Sequence, residues 1–443
     1  MMMKKKFMLG LLSAFLLTGC SDNIDIESMS PPELETAYEK MNDYIRENSK
    51  DIKLLDFEYM DNRDNGVLFD LDSDGVEEGL IVYKDTGEME NIHFNILKLD
   101  GEEYRRELDV VFPGGQVTKI DFQDMDMDGN MEIAIAHRGS ISDGFNYYEY
   151  QDNDIRVLQR SMYRDWFFAD LNDDGKKEFY AFDRGDRYKD ESGQWLDKDF
   201  DDIDTRIEKY ELEDDEMILT DECNIEELTN GVMWSREGKI TDNKKGIFLG
   251  NGIGNASYTS LLMLDDSGKL FDFYYNPESK INEDTFGKFS VPARDIDDDN
   301  IMEFAIAQMS KGDEDVSMSE VVWIDKWYKW DEKERKKYVK STHYSYFLKT
   351  LYHIPENIDS RLKIDGYGNS DSEVYLDYFY KDDNSEEKLF SLYSSVYMGK
   401  NDLLESDARE VEIDGQKFIL KVYENSHGIS YESVISNIEI VKE

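Results

Sequence analysis

The sequence is short of cysteine, histidine, basic side chains and long apolar runs, and each shortage excludes something. Its 443 residues hold two cysteines, Cys20 and Cys223. A framework of several disulfides is therefore out of reach, and a chain folding outside the cell must find its cross-links elsewhere. The histidines, His93, His137, His343, His353 and His427, are scattered and form no His-Glu-x-x-His pair. There is no Gly-x-Ser-x-Gly elbow and no phosphate-binding loop, so no catalytic constellation is legible. Lys and Arg number 51 against 100 Asp and Glu, a net charge of −49. So large an acidic excess repels phosphates, which excludes general nucleic-acid binding and disfavours docking on anionic lipid.

What is present begins with the export signal. Lys4–Lys6 precede an apolar run, Phe7–Leu17, that is too short to span a bilayer and reads as the core of a signal peptide. Leu17-Thr18-Gly19-Cys20 follows and resembles the bacterial lipobox. That resemblance implies cleavage after residue 19 and a diacylglyceryl group on the Cys20 sulfur, two acyl chains being enough for stable anchoring. Removing residues 1–19 takes three lysines away and deepens the acidic excess. The expected place is the outer face of a cell membrane, with Cys20 as the lipid anchor, palmitate among its acyl chains, and residues 20–54 as tether and helix. Within that segment Ser30 is the expected N-cap and Pro31 the first helical residue, with Leu34, Tyr38, Met41 and Ile45 on one face. Cys223 has no histidine partner in view and reads as an inert thiol.

From 55 to 345 short apolar runs alternate with turn signals, and one nine-residue pattern recurs four times. It reads DLDSDGVEE from Asp70, DMDMDGNME from Asp124, DLNDDGKKE from Asp170 and DIDDDNIME from Asp295. A run apolar on both faces follows each: GLIVY, IAIA, FYAF and FAIA. Such runs are the mark of strands buried in a core. A hairpin-like segment comes next, as in ILKLDGEEYRREL, where Asp100-Gly101 predicts a type I′ turn. The last gap between patterns is about twice the others and contains one more hairpin, LLMLDDSGKLFDF, preceded by GIFLGNGIGNASYTS without carboxylates. GNGIG there reads as a tight turn. Five four-stranded units of about 50 residues make the fold mainly β, a propeller-like array. Residues 346–443 read as a small α+β domain, with Asp414-Gly415 turning a hairpin.

The nine-residue pattern is a cation loop. Alternate residues of a curled loop converge, and three converging carboxylates without a cation repel one another and lose hydration. Oxygen-only donors at this spacing suit Ca²⁺ better than a transition metal. An EF-hand is excluded, because position twelve falls on Ile81, Ile135, Ala181 and Ile306 rather than on a glutamate. One such run alone would be an acidic turn. Four, each with an apolar residue at position two and a buried-type strand after it, are expected to bind up to four Ca²⁺ ions. The carboxylate and amide donors expected are Asp70, Asp72, Asp74 and Glu78; Asp124, Asp126, Asp128 and Glu132; Asp170, Asn172, Asp174 and Glu178; and Asp295, Asp297, Asp299 and Glu303. Position seven, held by Val76, Asn130, Lys176 and Ile301, is expected to offer its carbonyl.

These residues resemble the calcium loops of FG-GAP/VCBS-type repeats, and the order of lipobox, helix, repeats and small C-terminal domain is similar to that of Gram-positive surface lipoproteins. The resemblance implies a cell-surface β-propeller and places the family's ligands on the residues just named. The Phe-Gly and Gly-Ala-Pro signatures of the family are absent. The function expected is a calcium-stabilised binding or adhesion module for a wall glycan or protein, without catalysis. The alternative is a calcium-dependent polysaccharide lyase or hydrolase, which would need a basic, aromatic-lined cleft.

Overall fold

The computed structural model describes residues 34–441 apart from short stretches, the longest being 313–320. The signal segment, Cys20, Ser30 and Pro31 lie outside the described residues. The N-terminal helix, Leu34–Asn48, buries Met41 and Ile45. Ala37 and Tyr44 join them on the packed face, whereas Tyr38, expected there, is exposed. The buried stripe is therefore rotated by about one residue from the one read in the sequence.

Six larger sheets follow, five of them built on the repeats. The first holds Gly66–Phe69, Glu78–Asp85, Asn91–Asp100 and Glu103–Pro113, with Ile52–Leu54 beside Glu78–Asp85. The second holds Gln116–Gln123, Glu132–Arg138, Asp143–Gln151 and Asp154–Ser161, and Phe57–Tyr59 runs parallel to its first strand. The third holds Asp165–Ala169, Glu178–Asp183, Arg206–Glu213 and Glu216–Asn224. The fourth, Gly231–Thr241, Lys244–Ile253, Ala256–Leu264 and Leu270–Asp272, occupies the long gap between the third and fourth acidic patterns. Asp242-Asn243 closes its first hairpin where the other units carry an acidic loop. In the fifth, Phe304–Met309, Trp323–Asp331, Arg335–Ser345 and Thr350–Ile354 are joined by Ile438–Ile440 from the far end of the chain. This sheet therefore runs past residue 345.

The strands that follow the acidic loops are apolar on both faces because each sheet is covered on both. In the first sheet Leu80 and Val82 pack against Ile120, Ile133 and Ile135 of the second. Their neighbours Ile81 and Tyr83 point the other way, onto Met41 and Ile45 of the helix. Ala134 and Ala136 meet Phe179 and Ala181 of the third sheet. Tyr180 and Phe182 meet Ile247 and Leu249 of the fourth, and Phe248 meets Phe304 and Ile306 of the fifth. Ile324, Tyr352 and Ile354 then pack on Tyr378, Phe390 and Leu420 of the sixth sheet. That sheet comprises Leu362–Tyr367, Tyr375–Lys381, Glu386–Ser394, Gln416–Val422 and Arg409–Ile413, with helices at Glu356–Asp359, Lys400–Leu404 and Tyr431–Ser436. Among the described residues no core cluster joins the first sheet to the fifth.

Two local expectations need correcting. At Asp100-Gly101 the strands stay paired through Asp100 and Glu103, and Gly101 alone has positive φ, at 69°. The turn is thus centred on Gly101-Glu102 and is of the II′ kind, not I′. GNGIG is not a turn but largely strand, within Lys244–Ile253. Its Gly250 lies under the Trp234 indole, where an added Cβ would come within 2.3 Å of the ring. The glycines there make room for a side chain. At Asp414-Gly415, φ values of 48° and 82° give the I′ turn that the sequence predicts.

Phe179 is fully buried between the second and third sheets and stacks on Phe145 and Tyr147 at 5.2 and 5.5 Å. Phe179→Ala should cost about 3–5 kcal/mol in denaturant unfolding, whereas Phe347→Ala, at a site 59% exposed, should change stability by less than about 0.5 kcal/mol.

Asp325, 7% exposed on Trp323–Asp331, has its carboxyl pushed up to about 7 by burial, against the attraction of Arg294. A folded-state value above the unfolded 3.8 means that the folded chain holds the proton more tightly, so this group's contribution is lost as pH rises from about 4 to about 7. Asp325→Asn should therefore gain stability over the parent across that interval and keep a constant margin above it, as read by melting temperature against pH.

Candidate metal centres

Each acidic loop occupies the same place in its sheet. The loops at 70–78, 124–132 and 170–178 join the first strand of a sheet to the second. The loop at 295–303 precedes Phe304–Met309 and is closed by a bridge between Arg294 and Glu303. Position two anchors the loop from below: Leu71, Met125, Leu171 and Ile296 are all buried. Positions four and six both take the left-handed conformation. Position four is Ser73, Met127, Asp173 and Asp298, with φ between 54° and 64°. Position six is Gly75, Gly129 and Gly175, at 86°, 96° and 90°, and Asn300 at 66°. Asparagine is the residue that best replaces glycine there.

Backbone amides hold the carboxylates in place. Asp70 accepts from Asp74 N at 3.1 Å and Gly75 N at 3.0 Å. Asp124 accepts from Gly129 N at 3.1 Å, Asp170 from Gly175 N at 3.1 Å, and Asp295 from Asn300 N at 2.7 Å. The position-five carboxylates of Asp74, Asp128, Asp174 and Asp299 each accept from the amide two residues on, that of Val76, Asn130, Lys176 and Ile301. Asp70, Asp72 and Glu78 bring carboxylate oxygens within 4.8 Å of one another, as do Asp124, Asp126 and Asp128, and Asp295, Asp297 and Asp299. The third loop, where Asn172 replaces an aspartate, is not among these groups.

The glutamate at position nine is the first residue of its strand in three sheets and stands just before it in the fifth. Glu78, Glu132 and Glu303 are fully buried. One oxygen of each accepts from the position-two amide: Leu71 N at 2.9 Å, Met125 N at 2.7 Å and Ile296 N at 2.8 Å. The other oxygen, Oε1, is buried in all three; that of Glu132 has no donor, and those of Glu78 and Glu303 have only a lysine ammonium nearby, at 3.9 and 3.3 Å. Burial pushes Glu132 up to about 8, and Glu78 and Glu303 to about 7. Burial also raises Glu178, but Lys209 opposes the shift. A hard cation would satisfy these oxygens and reverse the cost of burying them.

The sequence reading missed the cations that face the loops. Leu97 pairs with Gly79, which sets Lys98 beside Glu78. Its Nζ lies 3.0 Å from Asp72 and 3.9 Å from Glu78. In the fifth sheet Tyr328 pairs with Phe304, and Lys329 Nζ reaches Asp297 and Glu303 at 3.3 Å and also binds Asp299. In the third, Lys209 Nζ lies 3.2 Å from Glu178, and Lys245 from the fourth sheet lies 3.6 Å from Asp170 and 2.6 Å from Asp173. The second loop differs: the residue paired with Glu132 is Glu149, 2% exposed and engaged by Arg156. The signal available in the sequence was the third strand of each unit, ILKLD and WYKWD against YYEYQ.

A cleft of about 560 Å³ lies away from the loops' carboxylates, lined by first strands of the second, third and fourth sheets and by Glu58. Lys119, Arg138 and Arg236 face it, as do Asp121, Asp165 and Glu58, with His137, Trp166 and Trp234. Lys119 is already engaged, 2.9 Å from Asp121 and 3.1 Å from the Trp166 carbonyl. Bases and acids balance in number, so the cleft is not a basic one. Burial pushes the Cys223 thiol well above its usual range, in keeping with an inert side chain.

No protein-family model matches the chain, and neither does any curated protein. Among solved structures it is similar to a Lactobacillus plantarum protein at 9% identity, with 72% of this chain and 82% of that chain covered and a TM-score of 0.31. It is also similar to a Bacillus licheniformis rhamnogalacturonan lyase at 12% identity, covering 57% of each chain with a TM-score of 0.31. Saccharomyces cerevisiae Sqt1 matches at 9% identity over 79% of this chain and 85% of that one, again with a TM-score of 0.31. Likeness at this level carries no argument about what this chain does.

The loop backbone can be tested apart from any ion. In excess chelator, Gly129→Ala should lower stability by about 1–2 kcal/mol, the cost of a Cβ in a left-handed conformation, whereas Asn300→Gly should be close to neutral. Chemical denaturation of both variants checks this.

Proposed function

We propose that this chain is a lipid-anchored, calcium-stabilised β-repeat scaffold of the FG-GAP/VCBS type that presents a binding surface to a glycan or protein outside the cell. One observation carries the reading: three loops in equivalent places each bury a glutamate oxygen beside a cluster of carboxylates, met by a lysine alone in two of them and by no donor in the loop at 124–132. A chain of many acidic turns has no need to bury those oxygens. Ca²⁺ is the ion that oxygen donors in a flexible loop suit best. The lipid on Cys20 belongs to the proposal through the Leu17-Thr18-Gly19-Cys20 motif.

Within this reading the five sheets are blades of a propeller-like array, of which the second, third and fourth line the cleft, with Glu58 of Phe57–Tyr59 on its wall. The array is open within this reading, since the N-terminal helix covers the outer face of the first blade and, among the described residues, no core cluster joins that blade to the fifth. Catalysis has less support. The cleft that a lyase or hydrolase of acidic polysaccharides would need has its cations matched by carboxylates.

Calcium outside cells sits near the 10⁻⁴–10⁻³ M affinities usual for extracellular modules. A site filled at ten times its Kd contributes about 1.4 kcal/mol to folding, so several together are a large share of a domain's stability. The melting temperature should rise with calcium and fall in chelator, and calorimetry should count up to four ions. Indifference to both would reduce the loops to acidic turns. Reproducible turnover of an envelope glycan, lost on changing one cleft residue with the fold intact, would favour the enzyme.

A further inference from the structure

The loops share a pattern but not a counter-charge. We propose that they are unequal: the loop at 124–132 is the site that an external Ca²⁺ must fill, while those at 70–78, 170–178 and 295–303 hold built-in lysine ammonium groups that calcium must displace. This rests on the calcium reading above and adds a ranking to it.

The ranking follows from the strand facing each loop. Lys98 and Lys329 stand across from the closing glutamates of the first and fourth loops, each with its Nζ among the carboxylates that would hold the ion. The third loop has two ammonium groups, Lys209 on Glu178 and Lys245 on Asp170 and Asp173, and one fewer carboxylate because of Asn172. In the second loop the facing residue is Glu149, paired in register with Glu132. Among the described residues no Lys or Arg lies within 4.0 Å of Asp124, Asp126, Asp128 or Glu132; the Arg156 guanidinium engages Glu149 instead, and Lys176 acts on Asp126 only at longer range. Two buried oxygens in this loop, Glu132 Oε1 and Asp124 Oδ1, have no hydrogen-bond partner.

Physical chemistry then sets the order. Affinity in oxygen-donor sites is tuned by the number of charged ligands, and the second loop has its four carboxylates with no ammonium among them, Glu149 beside them being paired with Arg156. In the first and fourth loops calcium must expel an ammonium into solvent, and the partial exposure of Lys98 and Lys329, 30% and 22%, leaves a route for that. The third loop, with two ammonium groups and an amide, should be the weakest.

The test is calorimetric titration of the full chain with calcium chloride, with melting temperatures in parallel to show that each variant is folded. The parent should bind one ion at least about tenfold more tightly than the rest, in line with the charge-count dependence of such sites. Asp126→Asn should abolish that step, and Glu149→Lys should weaken it about tenfold or more. Lys98→Met and Lys329→Met should each gain binding, tightening one of the weak steps by a similar factor. Four equivalent sites, a tight step that survives Asp126→Asn, or lysine variants that bind like the parent would overturn the ranking while leaving calcium binding intact. No binding in the parent or in either lysine variant, all folded, would sink the ranking and the calcium reading together.

Discussion

The structure turns on a carboxylate that cannot retreat. The glutamate closing each acidic loop opens or adjoins a strand whose next residues lie in the core between sheets, so its side chain is fixed where water does not reach. Glu78, Glu132 and Glu303 each spend one oxygen on the position-two amide and keep the other buried, with Lys329 3.3 Å from that of Glu303, Lys98 3.9 Å from that of Glu78 and no donor on that of Glu132. An unpaired buried charge is among the costliest features a fold can carry. Three units set a lysine from an adjacent strand beside it, and in the second no Lys or Arg among the described residues lies within 4.0 Å of the loop's carboxylates. The fourth sheet avoids the problem altogether by closing its first hairpin in a tight turn. Balancing the loops' charge and packing the core are therefore one problem, and a change at the loops is felt in the strands behind them.

Much of this was legible in the sequence because the signal repeats. An apolar residue at position two and a two-faced apolar run after the glutamate are both consequences of burial, and both recur with every acidic pattern. The unit without carboxylates could be placed by spacing alone, and it proved to be a complete four-stranded sheet. The turn at Asp414-Gly415 followed from its residues, since both must take positive φ. Failures came where a local rule met a tertiary demand. Asp100-Gly101 satisfies the I′ preference, yet pairing continues one residue further and moves the turn. The glycines of GNGIG look like a turn by composition, but they lie in a strand because Trp234 needs their space.

The facing lysines were missed for a different reason. A lysine in a strand of a highly acidic chain looks like ordinary surface, and only register shows whether it meets a loop. Lys98 and Lys329 reach their loops from the residue across from the glutamate, but Lys209 does so from further along its strand, where Tyr180 pairs with it. No single sequence position therefore marks the whole set. The ends of the array were also out of reach. Ile438–Ile440 completes the fifth sheet from nearly the last residues of the chain, a pairing with Thr350–Ile354 that local pattern cannot announce.

A sheet with two apolar faces must have both covered, and an array of such sheets can solve this by closing into a ring or by capping its ends. Here each internal face is buried by the next sheet. The outer face of the first is met by Met41 and Ile45 of a helix. That of the fifth, carrying Ala305, Trp327 and Leu351, is met by Val291 and Ile296 of the segment leading into it and by Val441. The sixth sheet packs instead on Ile324, Tyr352 and Ile354, on the face that also carries Phe304. Among the described residues both terminal faces are thus covered by segments that flank or lead into the repeats. The helix and the segment around Val291 and Ile296 bury apolar faces that the repeats alone would leave open. The segments flanking the repeats are thereby structural parts of the array, and the return of the chain end into the fifth sheet ties the C-terminal unit to it through backbone hydrogen bonds as well as packing.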